Sequence, residues 1–174
     1  TIPAVHQALF GKNGSSVIFR YIDGGDTIQT YYANVPAATS SESIASGVPL
    51  KGNFFPPDIS DLSVSPSFSK IFTLVGYGNS SVGTVSNPDG SKKSQIFDSS
   101  FTEWLSFWVD EKTILLTTKP SYAAPGYIYT LDSNSGAFKK IYGGTYGLTV
   151  IPSPDGKRLL ISEDDGSGSP SIKI

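Results

Sequence analysis

The chain has 174 residues, of which 38% are hydrophobic and 16% are charged, with 18 glycines, 12 prolines, 9 tyrosines and 10 phenylalanines. This composition is rich in β-forming and turn-forming residues and lacks the Ala, Glu, Lys and Leu bias of helical proteins. The net charge is −2, Arg20 and Arg158 are the two arginines, and the lysines form no basic stripe. A nucleic-acid partner is therefore not expected, and the composition predicts an all-β protein.

Cysteine is absent, so the chain has no disulfide framework and no thiolate that could hold a metal or act as a nucleophile. No apolar run approaches the roughly 20 residues of a membrane-spanning helix, and no signal peptide is visible. Because the sequence begins at Thr1 rather than Met, we leave open whether a leader or an anchor precedes it. Low charge with abundant Ser, Thr, Gly and Tyr is typical of exported bacterial surface proteins, and we expect an extracytoplasmic location in the cell envelope.

Four copies of a unit of two predicted strands follow one another along the chain. The units begin at Ala8, Leu62, Leu105 and Val150. The four units align without gaps, and two neighbouring columns of the alignment are apolar. The first column contains Val17, Ile71, Ile114 and Leu159, and the second contains Ile18, Phe72, Leu115 and Leu160. The first set is spaced by 54, 43 and 45 residues, close to the roughly 40–45 residues of a four-stranded propeller blade. Because the second strand of each unit is almost wholly apolar, we expect it to be buried on both faces between neighbouring blades.

These observations predict an all-β fold, a β-propeller of about four blades with four antiparallel strands each, in a single domain over residues 1–174. Blade 1 is predicted over about 4–57, blade 2 over about 58–100, blade 3 over about 101–146 and blade 4, incomplete, over about 147–174. A β-sandwich is the alternative fold, but four in-register units at a nearly constant period favour the propeller.

The stretch Ser153-Pro-Asp-Gly-Lys-Arg-Leu-Leu-Ile-Ser162 resembles the core of the WD40-like, TolB-type (PD40) repeat, in which a Ser-Pro-Asp-Gly-Lys turn precedes an apolar strand. Nearly the whole chain, including Phe101–Trp108 and Thr117–Ser121, also resembles uncharacterised WD40-like proteins of uncultured bacteria. The motif is altered in blade 2, where Ser67-Phe68 replaces Asp-Gly, and in blade 3, which reads Val109-Asp110-Glu111. The resemblance implies a propeller fold but no particular activity, because members of the family share none.

Two segments depart from the regular repeat. The first unit is longer than the others, and we place the excess in Pro36–Pro57, with a fourth strand around Ser43–Val48 and an enlarged crossing loop. The fourth unit ends at Ser171–Ile174, in its third strand, so we expect a fragment of a larger propeller, or a half that pairs with another copy. An open blade edge exposes apolar faces and unpaired backbone groups, which favours a homodimer.

The residues needed for common catalytic sites are missing from this sequence. His6 is the single histidine, no Gly-x-Ser-x-Gly elbow occurs, and two arginines are too few for the three-arginine cluster of a sialidase. We therefore expect no catalytic residues, no metal site and no cofactor. Calcium at Asp132–Gly136 is an alternative, since oxygen ligands alternate there, but the loop lacks the terminal bidentate acid. A polar turn explains the same residues.

Loops carry the remaining candidates for binding. Two acidic segments, Asp23–Asp26 and Glu163–Ser167, fall between the second and third strands of their units, and each is either a polar turn or part of a ligand-binding face. Exposed tyrosines suit recognition of peptides or sugars, whereas we expect Trp104 to be wedged between blades. The candidate ligand-binding residues are Phe54, Phe55, Tyr77, Lys119, Tyr122, Asp164 and Asp165.

The sequence therefore predicts a non-catalytic binding or scaffolding propeller module that recognises a protein or another ligand through its loops. One alternative is an accessory propeller domain of a peptidase or hydrolase. The other is a carbohydrate-binding propeller. Fold alone does not decide among them.

Overall fold

The computed structural model describes residues 5–36, 50–164 and 170–174. Fourteen β-strands and one 3-10 turn, Lys12–Gly14, lie in these residues. The strands are β1 Val5–Phe10, β2 Ser16–Ile22, β3 Ile28–Asn34, β4 Lys51–Phe54, β5 Ile59–Val64, β6 Ile71–Tyr77, β7 Ser80–Ser86, β8 Ser94–Ser99, β9 Trp104–Trp108, β10 Thr113–Thr118, β11 Gly126–Asp132, β12 Phe138–Pro152, β13 Leu159–Asp164 and β14 Pro170–Lys173.

The strands pair with their neighbours in chain order. One antiparallel sheet contains β1–β4, a second contains β5–β8, and β9–β14 form a continuous six-stranded sheet. The third sheet spans two blades because β12 is long: Phe138–Thr145 pairs with β11, and Tyr146–Pro152 pairs with β13. Near this change of partner, Gly143 and Gly144 have φ of 129° and 94°, a backbone region that glycine adopts without a steric penalty.

Three apolar cores separate the four blades. The first lies between β1–β4 and β5–β8, and its buried members are Ile18, Phe55, Ile59, Leu62 and Ile71. The second joins β6–β8 to β9–β11, and it contains Phe72, Leu74, Val85, Phe97, Trp104, Trp108, Ile114, Leu116 and Leu131. The third joins blade 3 to blade 4 through Leu115, Ile128, Leu148 and Val150. The stacking of antiparallel blades around such cores, with strands paired in chain order, confirms the predicted partial β-propeller.

The second strand of blade 3 shows why the repeat has two apolar columns. Ile114 and Leu116 point into the core shared with blade 2, and Leu115 points into the core shared with blade 4, since successive side chains of a strand face opposite sides. The second column is almost fully buried at Ile18, Phe72 and Leu115, with exposed fractions of 1%, 0% and 1%, but Leu160 is 43% exposed. The second strand was expected to be buried on both faces, and this is confirmed in blade 3. The expectation is wrong for Leu160, because this side chain lies on the face of blade 4 that points away from blade 3.

The fourth strand of blade 1 differs from the prediction. It is β4, Lys51–Phe54, which pairs with Tyr31–Asn34 of β3; the sequence had suggested a crossing loop there. The strand predicted around 43–48 lies outside the described residues. Within the described part of the chain, no helix has the length and apolar character needed to cross a membrane.

The first strands of the blades face a common channel. A concavity of about 390 Å³ is lined by residues from β1, β5, β9 and the second half of β12. Each of these is the first strand of its blade, which is how the innermost strands of a propeller are arranged.

Candidate functional site

A second concavity, of about 330 Å³, opens between blades 2 and 3, and we call it the aromatic cleft. It lies where the start of β9 meets the end of β10, since Trp104 pairs with Thr118. Its lining comprises Ser99, Phe101, Trp104, Thr118, Lys119, Ser121, Ala124, Pro125, Tyr127, Tyr129 and Phe138. Mostly apolar lining with a few convergent polar groups is typical of a ligand pocket.

Trp104 forms the inner wall of the aromatic cleft. Its ring contacts Phe101 and Tyr129 edge to face, with centroid distances of 5.3 and 5.6 Å and interplanar angles of 87° and 71°. The indole Nε1 donates a hydrogen bond to the carbonyl oxygen of Phe101 at 2.8 Å. Trp104 also belongs to the core between blades 2 and 3, which confirms its expected wedged position. Edge-to-face contacts of this kind stabilise the packing of the wall.

The outer wall comes from β11 and β12. Tyr127 and Tyr129 are two positions apart on β11 and therefore face the same side of the sheet. Tyr129 stacks on Phe138, with ring centroids 4.4 Å apart and an interplanar angle of 14°. Burial raises the pKa of Tyr129 above its ordinary value of 10.0, so its phenol is neutral and able to donate a hydrogen bond.

An ion pair lies at the rim of the aromatic cleft. Lys119 Nζ is 2.8 Å from Glu103 Oε2, and the Lys119 backbone N–H donates to the Glu103 carbonyl oxygen at 2.8 Å. The hydrogen bond from Lys119, together with its charge, lowers the pKa of Glu103. A second cation, Lys140 Nζ, lies 5.1 Å from the centroid of the Tyr127 ring, in the range of a cation–π contact.

Three hydroxyl groups complete the polar lining. Ser99 Oγ accepts the backbone N–H of Phe101, Thr118 Oγ1 accepts that of Tyr127, and Ser121 Oγ accepts that of Ala123, each at 3.0 Å. A hydroxyl group has one donor hydrogen in addition to its acceptor lone pairs. These bonds therefore hold the three oxygens in place and leave their hydrogens able to point elsewhere.

Two of the sequence-predicted site residues lie at this cleft or beside it. Lys119 lines it, and Tyr122 is exposed on the same loop between β10 and β11. The Tyr122 ring lies against Gly147, whose N–H donates to the carbonyl oxygen of Ser121 at 2.8 Å. The loop is thereby attached to the start of blade 4.

The other predicted aromatic residues lie elsewhere. Phe54 is exposed on β4, where it meets Tyr31 at a centroid distance of 4.7 Å. Phe55 is 8% exposed and belongs to the core between blades 1 and 2, so its assignment as a ligand-binding loop residue is wrong. The sequence had placed Phe55 in an enlarged crossing loop, but its backbone N–H donates a hydrogen bond to the carbonyl oxygen of Thr30 at 2.9 Å. Tyr77 is exposed at the end of β6.

The acidic segments are used mainly within the fold. Glu163 is 3% exposed, accepts the Tyr142 hydroxyl at 2.8 Å and forms an ion pair with Lys173, so it attaches the last strand and is not a loop ligand. Asp164 is the last residue of β13, and Asp165 lies outside the described residues. The Asp23 carboxylate accepts hydrogen bonds from the backbone N–H of Gly25 and the side-chain amide of Gln29, both at 2.9 Å. This is the geometry of a polar turn.

Asp132 also stabilises a turn. Its Oδ1 accepts the backbone N–H groups of Asn134 and Ser135 at 3.0 and 2.8 Å, as in the polar-turn interpretation of the sequence. Residues 5–36, 50–164 and 170–174 contain no group of three or more His, Asp or Glu side chains placed to hold a metal. His6 is exposed on β1 and borders a further concavity beside the channel.

A polar cluster at the channel was missed in the sequence. Asp61 on β5 accepts two hydrogen bonds from Ser106 on β9, at 2.7 and 2.6 Å. Arg20 on β2 donates to Gln7 at 3.3 Å and to the carbonyl oxygen of Ile59. Burial raises the pKa of Asp61, while the Ser106 bonds and the charge of Arg20 partly oppose the shift. A charged residue inside a predicted strand could have indicated this cluster. Arg20 interrupts the apolar run of β2, and Asp61 lies inside β5.

Comparisons with known proteins show the fold but no close relative. No protein-family model matches the sequence, and no curated protein is a significant match. Among solved structures, TolB from Acinetobacter baumannii matches 97% of the chain at a TM-score of 0.68 and 11% identity. Acylaminoacyl peptidase from Pyrococcus horikoshii matches 98% of the chain at a TM-score of 0.64 and 13% identity. Oligopeptidase B from Leishmania major matches 93% of the chain at a TM-score of 0.57 and 12% identity.

The chain spans 40%, 30% and 23% of the lengths of those three proteins. Sequence identities this low indicate a shared fold, and they do not allow the function of individual residues to be transferred from these proteins. Together with the three stacked sheets, the comparisons show that this chain has the β-propeller fold of the TolB type.

Proposed function

We propose that this chain is a non-catalytic binding module that holds an apolar or aromatic group of a peptide in the aromatic cleft. The observation that carries the proposal is the convergence of Trp104, Tyr127 and Phe138 with Lys119 on one concavity. Aromatic side chains provide a large contact area at a low entropy cost. Since a propeller is a rigid scaffold, a cleft between two of its blades is well suited to recognition.

The polar groups of the cleft support binding rather than catalysis. Its hydroxyls are held by backbone N–H groups, and the described lining contains no histidine or carboxylate beside Ser99, Thr118 or Ser121. Activation of a hydroxyl nucleophile requires an adjacent base. We also propose an extracytoplasmic location in the cell envelope, supported by the low charge and the abundance of serine, threonine, glycine and tyrosine.

Selection from a random peptide library displayed on phage, with the immobilised chain as target, tests the binding function. We expect enrichment of peptides rich in aromatic or branched apolar residues. Their binding should fall at least tenfold in Tyr127→Ala and in Phe138→Ala, because each removes a wall of the cleft. Tyr77→Ala, which removes an exposed tyrosine on blade 2, is the matched control and should bind normally. Enriched peptides that bind all three variants equally would place recognition elsewhere.

An accessory propeller domain of a peptidase is the second candidate, favoured by the similarity to acylaminoacyl peptidase and oligopeptidase B. Sequencing the complete coding region tests it, and an α/β-hydrolase segment in the same polypeptide would favour it over an independent module. A glycan array tests the carbohydrate-binding alternative; retention of a sugar that Tyr127→Ala abolishes would favour that alternative over a peptide.

A further inference from the structure

Every polar side chain that lines the aromatic cleft can donate a hydrogen bond. The oxygens of Ser99, Thr118 and Ser121 each accept one backbone N–H group, which leaves each hydroxyl its hydrogen and one lone pair. Lys119 contributes an ammonium group, which has donors alone. None of the lining residues is a carboxylate. A ligand that supplies acceptors complements this lining, and a negative charge would complement Lys119 best.

The present partner of Lys119 is replaceable. The Lys119 and Glu103 side chains are 44% and 56% exposed, and ion pairs at such exposure contribute little to stability. Glu103 does not line the aromatic cleft. An anionic group inside the cleft could thus take over the hydrogen bonds of Lys119 while Glu103 turns to solvent.

We propose that the aromatic cleft binds the C-terminal residue of a peptide, with its apolar or aromatic side chain against Trp104 and Phe138 and its free carboxylate at Lys119. This assignment rests on the proposed binding function and specifies its ligand. In a C-terminal residue the side chain and the carboxylate share one Cα, so one residue can engage both the aromatic wall and the cation. The volume of about 330 Å³ lies at the low end of the range for ligand pockets, which suits a single residue with the preceding peptide outside.

Two acetylated pentapeptides, Gly-Ser-Gly-Ser-Phe with a free carboxylate and the same sequence as the C-terminal amide, test the assignment by NMR titration. The chain has two tryptophans, and loss of one indole N–H signal in Trp108→Phe assigns both. We expect the free acid to shift the Trp104 indole signal and to leave that of Trp108, which donates to Ser63 in the neighbouring blade, unchanged. The acid should bind about tenfold more tightly than the amide, as expected for a charge-assisted hydrogen bond.

Three variants separate charge recognition from folding. Lys119→Met should reduce the affinity for the acid to that for the amide, whereas Lys157→Met, an exposed lysine of blade 4, should have no effect. Glu103→Gln should raise the affinity for the acid severalfold, because it removes the competing carboxylate. Circular dichroism spectra identical to wild type show that the variants are folded.

Equal affinities for acid and amide, no shift of the Trp104 signal, or tight binding of the acid by Lys119→Met would each overturn the C-terminal assignment. The broader binding function is judged separately by the phage selection, carried out with peptides fused to the C-terminus of a coat protein so that each peptide C-terminus is free. Loss of selected peptides in Tyr127→Ala together with equal acid and amide affinities would retain the proposed function and reject this ligand.

Discussion

The hydroxyl of Ser106 donates to Oδ2 of Asp61 at 2.6 Å, and the Ser106 backbone N–H donates to the same oxygen at 2.7 Å. The Ser63 hydroxyl lies 2.8 Å from that of Ser106 and can donate to it, since the Ser106 hydrogen is directed to Asp61. Asp61 and Ser106 belong to the first strands of adjacent blades, which are in different sheets. These side-chain bonds therefore join blades 2 and 3 at the channel, where no backbone ladder connects them.

Ser106→Ala should destabilise the chain by about 1–2 kcal/mol, because it removes the hydroxyl donor of a half-buried carboxylate. Urea denaturation followed by circular dichroism measures the loss. Ser100→Ala is the matched control: Ser100 is exposed in the loop before β9, and its replacement should change stability by less than about 0.5 kcal/mol. Equal denaturation midpoints for the two variants would mean that the bond at the channel contributes nothing.

Asp61→Asn should change the pH dependence of stability. Burial raises the pKa of Asp61 above its ordinary value of 3.8, so the folded chain holds this proton more tightly than the unfolded chain. The contribution of Asp61 to stability therefore falls as pH rises from 3.8 through the folded pKa, and it is constant above. We expect the free energy of unfolding of the wild type, minus that of Asp61→Asn, to decrease over this interval in urea titrations between pH 3.5 and 7. A difference that increases with pH would contradict the direction of the shift.

Gly83→Ala should destabilise blade 2, whereas Gly76→Ala should not. A Cβ at Gly83 would lie 2.5 Å from Phe72 and 2.8 Å from Phe97, while one at Gly76 would meet nothing within 4 Å. Overpacking of a core costs about 1–3 kcal/mol, and alanine in an open strand position is neutral or slightly stabilising. Thermal unfolding compares the two variants directly. A normal melting temperature for Gly83→Ala would show that Phe72 can move aside.

Leu160→Lys should weaken self-association of the chain. Leu160, Ile151 and Ile172 are exposed on the far face of blade 4, where Leu160 occupies the repeat position that is buried at Ile18, Phe72 and Leu115. We propose that this apolar sheet face pairs with a second copy of the chain, because contiguous exposed apolar patches mark association sites. Sedimentation velocity should show a concentration-dependent dimer for the wild type and a monomer for Leu160→Lys. Lys157→Glu, a charge change outside this face, is the control; a wild type that stays monomeric at high concentration would contradict the proposal.

Most of the fold could be read from the sequence because it depends on local patterns. Turn residues such as Asn13-Gly14 and Asp155-Gly156 mark the hairpins, and consecutive apolar columns mark strands with both faces buried. Blade 1 was harder, because its fourth strand, Lys51–Phe54, has polar residues and an exposed face and lacks the apolar pattern that marks a strand. The continuity of β12 across two blades was not predicted either, because Gly143 and Gly144 lie inside it and a pair of glycines usually indicates a turn.

The candidate site was predicted in part. Lys119 and its loop were recognised because Tyr122 lies there among small residues, but Phe101, Tyr127, Tyr129 and Phe138 were not assigned to a common site. Phe55 was assigned to the surface and is buried. The sequence by itself determined the repeat, the strand order and the faces that must be covered, because these follow from turn chemistry and from alternation along a strand. Only the tertiary structure decided which side chains meet at the cleft and at the channel, because those contacts depend on how one blade is rotated against the next.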